Sequence, residues 1–491
     1  METQAKTTTI PAPPTRETGS PAAAPAAPPP TSSARMTKPE LIRESQRWLD
    51  IISERELSAE QKEQIARDTV DNFHFYYNRG YLEYRKSLIE MREDPALEWD
   101  GEGSTFRDLS GRTYIDCLGG YGIYSAGIKH PKIVKAVADQ LCRMPLSSQE
   151  LLDPLRGALA ELLGEITPGD LQYSFFINNG TDAVEGAIKL ARLYTGKTNF
   201  ISSLRGFHGK SCGSLSLLGK WEYREPFLPL LPGIQFVEFG DADAVIDELY
   251  KADQTGKGVA AVIMEPIQGE AGAIVPPDDF WPRIRAACDE YGTLLIADEV
   301  QTGLGRTGRL FGVNHWDVVP DIMCLGKALG GGVMPLSAFI STPKIWGVLE
   351  SNPFIHSSTF GGNPLACAAG IAAINVTLEE DLAGQAAKKG NETLARLIRL
   401  KMRYDRIIRR AGGKGLLLGL EFANTEVGYK VVAGLFRRGV LVAGTLTNSK
   451  TVRIESALNI PQRLLDEVLD ALEDTLQEVD ETTPDIKPDE E

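Results

Sequence analysis

The chain has 491 residues, of which 42% are hydrophobic, and this supplies a large core and more than one domain. Lysine and arginine number 52 against 67 aspartates and glutamates, giving a formal net charge of −15. An acidic surface repels phosphate backbones and anionic lipids, so we expect no nucleic-acid partner and no membrane partner. The six cysteines are scattered, without a CxxC pair, and indicate a reduced protein of the cytoplasm.

The first 35 residues are dominated by proline, alanine, threonine and serine. Such a segment cannot bury enough apolar surface to offset the entropy of ordering it, so we predict a disordered extension. It has no secretory apolar region, and its few basic residues make a transit peptide a weak alternative. Residues 36–115 are expected to form an N-terminal segment of helices and a hairpin.

The middle of the chain alternates apolar strands with amphipathic helices. The strands are predicted at 171–178, 199–204, 259–266 and 293–303. Strand, helix and strand in this order form βαβ units, so the fold class is α/β with a mostly parallel sheet. Ligands then belong at the carboxyl ends of the strands. We therefore expect a large domain at 116–380, a smaller α+β domain at 381–479 and an acidic tail at 480–491. In the smaller domain, helices at 382–403 and 461–479 are expected to enclose strands at 415–422, 440–443 and 451–455.

Lys327 follows an apolar run and precedes three consecutive glycines. Apolar surroundings lower the pKa of a lysine and leave a nucleophilic amine that can form a Schiff base. Taken alone, a lysine just past a strand is more often an exposed surface residue. Asp298 reverses that balance, because a carboxylate at the end of a buried strand can pair with a pyridinium nitrogen and make its ring an electron sink.

The passages around Asp298 and Lys327, with the separation between them, resemble the class III (ω-amino) aminotransferases, a branch of the fold type I pyridoxal-phosphate enzymes. The resemblance implies a large domain with a mostly parallel seven-stranded sheet and a smaller α+β domain formed by the N- and C-terminal segments. It implies pyridoxal 5′-phosphate as cofactor, held by Lys327, with Asp298 keeping the ring nitrogen protonated. Gln301 is then expected to bond the ring 3-oxygen, and Val300 to pack on the face opposite Phe207.

Three further passages contain residues expected at the cofactor. Gly180 and Thr181 open a helix whose N-terminus can bind a phosphate, although an ordinary capped helix explains this turn equally well. Phe207 and His208 form a core pair by themselves, whereas the resemblance makes Phe207 stack on the cofactor ring with His208 beside it. Thr359 is implied to reach across a homodimer interface to the phosphate of the partner subunit's cofactor.

The charged residues near these passages have alternative interpretations. Arg453 lies inside a predicted strand, where an unpaired arginine is costly, so either an ion pair or a carboxylate ligand explains it. The resemblance implies that Arg453 binds the α-carboxylate of 2-oxoglutarate or glutamate and that Glu270 pairs with it when the amine has no carboxylate. Glu185 and Lys189 lie four residues apart and are expected only to support their helix.

Within the family, the resemblance extends to the bacterial putrescine (diamine) aminotransferases. Its motifs lie at 81–87, 148–155, 332–335 and 441–446. It predicts transfer of the terminal amino group of putrescine or cadaverine to 2-oxoglutarate, giving an aminoaldehyde and glutamate, as in putrescine catabolism. The alternatives are an ω-amino acid aminotransferase acting on ornithine, acetylornithine or 4-aminobutyrate, a dialkylglycine-type decarboxylase, and a non-catalytic scaffold with the same fold. No GxGxxG opens a helix after a strand, and neither GxxxxGK(S/T) nor HExxH appears. We predict no metal site.

Overall fold

The computed structural model describes residues 35–88, 96–486 and 489. These form two compact units, the first ending at Leu97 and the second beginning at Glu98. The extension expected at residues 1–35 lies outside the described residues except for Arg35. Within the described ranges, no helix is both long and apolar enough to cross a membrane.

The first unit is helical, as its apolar periodicity predicts. It contains α1 (Lys38–Ser53), α2 (Ala59–Asn72), one π-helical turn (Phe73–Tyr77) and α3 (Arg79–Leu88). Ser58 caps α2 in a capping box, its hydroxyl accepting from the Gln61 N–H at 3.2 Å. Arg47 ties α1 to α2 through an ion pair with Asp68 at 2.7 Å.

The second unit contains the strands and the remaining helices. The strands are β1 (Glu98–Glu102), β2 (Thr105–Asp108), β3 (Thr113–Asp116), β4 (Tyr173–Ile177), β5 (Asn199–Ser203), β6 (Ile234–Val237), β7 (Val259–Met264), β8 (Leu294–Asp298), β9 (Ile322–Leu325), β10 (Ser337–Ser341), β11 (Ile408–Lys414), β12 (Leu417–Phe422), β13 (Val440–Leu441), β14 (Ala443–Gly444) and β15 (Thr451–Ile454). The helices are α4 (Gly119–Gly122), α5 (Pro131–Arg143), α6 (Pro154–Ile166), α7 (Gly180–Thr195), α8 (Cys212–Ser216), α9 (Trp221–Arg224), α10 (Ala242–Gln254), α11 (Phe280–Tyr291), α12 (Pro343–Trp346), α13 (Pro364–Glu379), α14 (Leu382–Arg403), α15 (Thr425–Arg437) and α16 (Gln462–Thr482).

Seven strands form the central sheet in the order β4-β10-β9-β8-β7-β5-β6. Strand β10 is antiparallel to both of its neighbours, and the other neighbouring strands are parallel. Every residue of β7 and β8 is buried, because helices cover both faces. In β8, Leu295 packs in the cluster of Trp281 from α11, whereas Ile296 packs in the cluster of Val184 from α7. The predicted α/β fold with a mostly parallel sheet is confirmed.

Two four-stranded sheets accompany the central one, in the orders β1-β2-β3-β13 and β11-β12-β15-β14. The predicted single strand at 440–443 is wrong, because Val440 pairs with Ile115 of β3 whereas Ala443 pairs with Arg453 of β15. The chain therefore passes from one sheet to the other at Val442. Strand β11 and helix α15 were not predicted, and α16 continues to Thr482, beyond its predicted end at Val479.

The central sheet brings five connections to one edge. Strands β4, β5, β7, β8 and β9 run in the same direction, so their carboxyl ends lie together. The residues that follow these ends include Gly180, Phe207, Glu265 and Lys327, and Asp298 is itself the last residue of β8. This is the edge at which parallel sheets bind ligands.

Candidate active site

Lys327 begins a 3₁₀ turn (Lys327–Gly330) directly after β9 and Gly326. Its φ of 45° lies in the left-handed region, which residues other than glycine adopt at a cost and mainly at functional sites. The residue as a whole is half-buried, whereas its amine is buried. Burial lowers the pKa of this amine, although the charges of Glu455 and Glu270 act to raise it. The side chain is therefore suited to act as a nucleophile and a base.

Asp298 is buried and forms a pair with His208. Its Oδ2 lies 2.7 Å from His208 Nδ1, and its Oδ1 accepts a hydrogen bond from the Val300 N–H at 3.1 Å. Burial acts to lower the pKa of His208, but the hydrogen bond and charge of Asp298, with the charge of Glu265, raise it overall. The raised pKa favours the protonated form of His208, which pairs with the Asp298 carboxylate and orients it.

Glu265, directly after β7, had no role in the sequence analysis. It is buried, and it accepts hydrogen bonds from the Phe207 N–H at 3.0 Å and the Gly269 N–H at 2.9 Å. Burial raises its pKa to about 7, although the charge of His208 acts to lower it. Glu265 therefore fixes both the loop of Phe207 and the turn that leads to Glu270. A glutamate at the end of a wholly apolar strand was the signal that could have identified it.

Gly180 and Thr181 form the first turn of α7, as predicted. A Cβ atom at Gly180 would lie 2.7 Å from Val300 Cγ1, so only glycine fits against this valine without a shift. The Thr181 hydroxyl lies 2.6 Å from the hydroxyls of both Ser211 and Ser214. The first N–H groups of a helix have no acceptor within the helix, and with this hydroxyl cluster they form a suitable cradle for a phosphate.

Glu185 and Lys189 do not support their helix as an ion pair, and that prediction is wrong. Glu185 Oε1 accepts the Gly213 N–H at 2.8 Å and the Ser211 hydroxyl at 2.6 Å. Lys189 Nζ lies 3.3 Å from His356 Nδ1. Donors at the start of α8 bind this carboxylate instead, since a buried N–H group needs an acceptor more than an exposed lysine does. Glu185 thereby holds Ser211 beside the start of α7.

Arg453 and Glu270 are buried together. The exposed fraction of Arg453 is 2%, and its Nη1 lies 2.7 Å from Glu270 Oε1. Glu270 Oε2 accepts the Leu446 N–H at 3.0 Å. Burial acts to raise the pKa of Glu270, but the charge of Arg453 lowers it overall. In the described part of the chain, none of the three guanidinium nitrogens of Arg453 forms a hydrogen bond of regular geometry, so the arginine retains donors for a ligand.

Glu455 is a second buried carboxylate that sequence reasoning did not assign. It follows β15 directly, its exposed fraction is 1%, and Gln301 Nε2 donates to both of its oxygens at 3.0 Å. Arg306 Nε lies 3.9 Å from Oε1, and Arg453 Nε lies 3.8 Å from Oε2. The structure therefore places Gln301 among these charges, and its bond to a ring 3-oxygen stays a prediction. The alternation along β15 directs Arg453 and Glu455 to the same side, which could have identified the second residue.

Phe207 and Thr359 complete the predicted set. Phe207 is half-buried, and its backbone N–H donates to Glu265 Oε1 at 3.0 Å. Thr359 lies in an exposed turn, where its carbonyl accepts from Gln149 Nε2 at 2.8 Å. No described hydrogen bond joins Thr359 to Lys327 or Asp298. Its contact with a partner subunit's cofactor stays a prediction.

Comparison with known proteins gives concordant results. The family model for class III aminotransferases matches residues 92–476. The chain is 48% identical over 460 residues to the putrescine aminotransferase of Pectobacterium atrosepticum, covering 92% of this chain and 97% of that relative. The ornithine aminotransferase of Toxoplasma gondii superposes with a TM-score of 0.77 at 28% identity, covering 91% of this chain and all of the other (100%). A PLP-bound amine transaminase from an uncultivated Pseudomonas species gives 0.73 at 30% identity, covering 78% and 95%.

Proposed function

The chain belongs to the class III aminotransferases, and on that premise we propose that it moves the terminal amino group of a diamine to 2-oxoglutarate. The donors are putrescine and cadaverine, and the products are an aminoaldehyde and glutamate. The observation that carries the choice of donor is the buried Arg453–Glu270 pair, in which the pocket's arginine is already neutralised by a residue of the chain. The 48% identity to a putrescine aminotransferase supports the same choice.

The enzyme depends on pyridoxal 5′-phosphate, and its residues fit that cofactor. Lys327 supplies a buried amine of lowered pKa, and the Asp298–His208 pair supplies an oriented carboxylate for a pyridinium nitrogen. The start of α7 with the Thr181 hydroxyl supplies the phosphate cradle. When bound, the cofactor supplies an electron sink for the electron pair released as the substrate carbon loses its proton.

Each residue of the chain then has a separate task in the reaction. Lys327 Nζ would hold the cofactor, and its amine, when free, would take the proton from the carbon that bears the donor's amino group. Because this base is tethered beside the carbon, it gains a large proximity advantage over a base in solution. Asp298 holds the proton on the ring nitrogen, and His208 orients Asp298. Val300 and Phe207 would confine the ring, and Gln301 would bond its 3-oxygen.

Arg453 and Glu270 serve the two halves of the reaction in turn. A diamine has no carboxylate, so Glu270 stays on Arg453 and avoids leaving a buried charge unpaired. When 2-oxoglutarate enters, its carboxylate takes the place of Glu270 on the guanidinium. In a Glu270→Ala variant, we expect diamine turnover to fall and 2-oxoglutarate binding to persist. Unchanged diamine turnover in that variant would refute this exchange.

The proposal also covers the assembly and the location of the protein. The active unit is a homodimer in which Thr359 reaches the phosphate of the partner subunit's cofactor, and the large domain at 116–380 carries the cofactor site. The six cysteines are free thiols, which supports a cytoplasmic location. A Thr359→Ala variant tests the first point, because its cofactor affinity should fall while its assembly, measured by light scattering, stays dimeric.

A donor panel tests the substrate. Initial rates of glutamate formation from 2-oxoglutarate are measured with putrescine, cadaverine, ornithine, acetylornithine and 4-aminobutyrate. We expect kcat/KM for a diamine to exceed that of each amino acid by about tenfold or more, which corresponds to about 1.4 kcal/mol. The similarity to an ornithine aminotransferase makes ornithine the second candidate. A preference for ornithine would leave the aminotransferase reaction in place and show that the diamine donor is wrong.

A further inference from the structure

We propose that Glu455 is a specificity-determining residue, a fixed negative charge beside Lys327 that favours cationic donors and disfavours donors with a carboxylate. The inference deepens the proposed function and rests on it, since it concerns how a diamine is chosen. Glu455 lies farther from Arg453 than Glu270 does, at 3.8 Å against 2.7 Å. The reaction proposed above assigns it no role. Four observations support the assignment.

The first observation is that Glu455 retains hydrogen-bonding capacity in a buried position. A carboxylate offers about four acceptor positions. In the described chain, the Gln301 amide nitrogen is the donor to its two oxygens, at 3.0 Å each. The nearest arginine atoms lie 3.8 Å and 3.9 Å away, beyond hydrogen-bond distance. Acceptor positions are therefore left for an ammonium group of a ligand.

The second observation is that Glu455 shares its space with the reactive lysine. Gly122 has a φ of 96°, and a Cβ atom there would lie 2.7 Å from Glu455 Oε1 and 3.5 Å from Lys327 Cδ. Both side chains therefore lie against Gly122. Among the charged groups that act to raise the pKa of the Lys327 amine, Glu455 has the largest effect. Glu455 thus faces the place where the donor amine reacts.

The third observation concerns the balance of buried charge. Two arginines, Arg306 and Arg453, are buried here, and the carboxylates of Glu270 and Glu455 balance them. Asp116 also acts on Arg306, but one of its oxygens accepts two backbone N–H groups, at 2.8 Å and 3.0 Å. Without the charge of Glu455, the surroundings of Arg453 become more positive by one charge, which disfavours a diammonium donor and favours a dicarboxylate.

The fourth observation is that the position of Glu455 is fixed, whereas Glu270 is held by an ion pair that a ligand carboxylate can replace. Arg306 Nη1 donates to the Ser456 carbonyl at 2.6 Å, which anchors the backbone next to Glu455. Gln301 holds its side chain. When a carboxylate ligand displaces Glu270 from Arg453, the charge of Glu455 therefore remains. It weakens the binding of every carboxylate at this arginine, and it favours amines that carry none.

Glu455→Gln tests the inference because it removes the charge and keeps the size. We expect the KM for putrescine and cadaverine to rise about tenfold, and the KM for 2-oxoglutarate to fall about threefold or more. Glutarate, an unreactive dicarboxylate, gives a readout that does not depend on turnover. Its Kd for the holoenzyme, measured by calorimetry, should fall by a similar factor in the variant.

Glu421→Gln is the matched control. Glu421 lies on the neighbouring strand β12, is half-buried and pairs with Arg410 at 3.3 Å, so its loss changes the same net charge of the protein. This control should leave both KM values and the glutarate Kd unchanged. Glu455→Asp, which moves the charge by one methylene, should lie between the wild type and Glu455→Gln. It also provides the measurement if Glu455→Gln does not fold.

The outcomes separate this inference from the proposed function. Unchanged diamine KM and glutarate Kd in a folded Glu455 variant would overturn the role of Glu455. Equal increases in the KM values for diamine and 2-oxoglutarate would also overturn it, since they indicate a structural role. If the wild type turns over no diamine, the proposed function fails, and the glutarate titration still decides whether Glu455 opposes carboxylates.

Discussion

Gly180→Ala tests whether the start of α7 and Val300 close around the cofactor site as the structure describes. The backbone of Gly180 lies outside the left-handed region, so the substitution acts through its methyl group alone. That methyl would lie 2.7 Å from Val300 Cγ1 and 3.1 Å from Cγ2, where carbon atoms ordinarily lie about 3.5–4.0 Å apart. Valine is stiff at χ1 and cannot rotate away. Overpacking of this kind costs about 1–3 kcal/mol, which is about 5- to 150-fold in an equilibrium constant.

The assay is a fluorescence titration of the cofactor-free protein with pyridoxal phosphate, together with a thermal melt. We expect the Kd of the cofactor to rise at least about fivefold, because the displaced turn is the phosphate cradle. Val300→Ala in the same chain should recover much of the loss, since it removes both colliding carbons. Gly157→Ala in α6 is the control, because a Cβ there has nothing within 4 Å. A double variant no better than Gly180→Ala would refute the steric explanation.

Three further predictions concern single residues. Lys327→Arg keeps a positive charge at this position but removes the reactive amine. The variant should lose the cofactor on desalting, and its kcat should fall at least about a thousandfold. Retained turnover would show that Lys327 has no part in the reaction. Glu299 is buried and accepts the Val313 N–H at 2.8 Å, and burial raises its pKa from 4.5 to about 7. The folded state thus binds this proton more tightly than the unfolded chain does, so the stability contributed by Glu299 falls as pH rises from 4.5 to about 7. The Tm difference between wild type and Glu299→Gln should therefore shrink over that interval, and a constant or growing difference contradicts the raised pKa. Glu185→Ala removes the acceptor of the Gly213 N–H and should cost about 1–3 kcal/mol, measured by urea unfolding, with weaker cofactor binding; an unchanged midpoint would show that solvent replaces the carboxylate.

The sequence predicts the central sheet because its strands are buried on both faces. A continuous apolar run, as at Val259–Met264 and Leu294–Asp298, identifies such a strand without knowledge of its neighbours. Asp298 and Lys327 stand at the ends of these runs, so their place at one edge follows from the parallel topology. Strand β11 lacks an apolar run and contains two consecutive glycines, and its pairing with β12 is visible only in the fold.

Residues that depend on distant partners escape sequence reasoning. Gln301 reaches Glu455 across 154 residues of chain, and Glu265 matters because it holds Phe207, 58 residues earlier. Glu185 has Lys189 at the right helical spacing for an ion pair, but it accepts hydrogen bonds from the start of α8 instead. Local spacing gives the position of each charge, whereas burial and tertiary partners decide its role.

The most direct test of the central claim is a half-reaction followed by absorbance, with purified holoenzyme and one amine at a time and no 2-oxoglutarate. We predict that putrescine or cadaverine bleaches the visible cofactor band within one turnover, that ornithine and 4-aminobutyrate leave it largely unchanged, and that 2-oxoglutarate restores it. Bleaching by ornithine alone would contradict the diamine assignment. A holoenzyme band that no amine changes would contradict the proposed reaction itself.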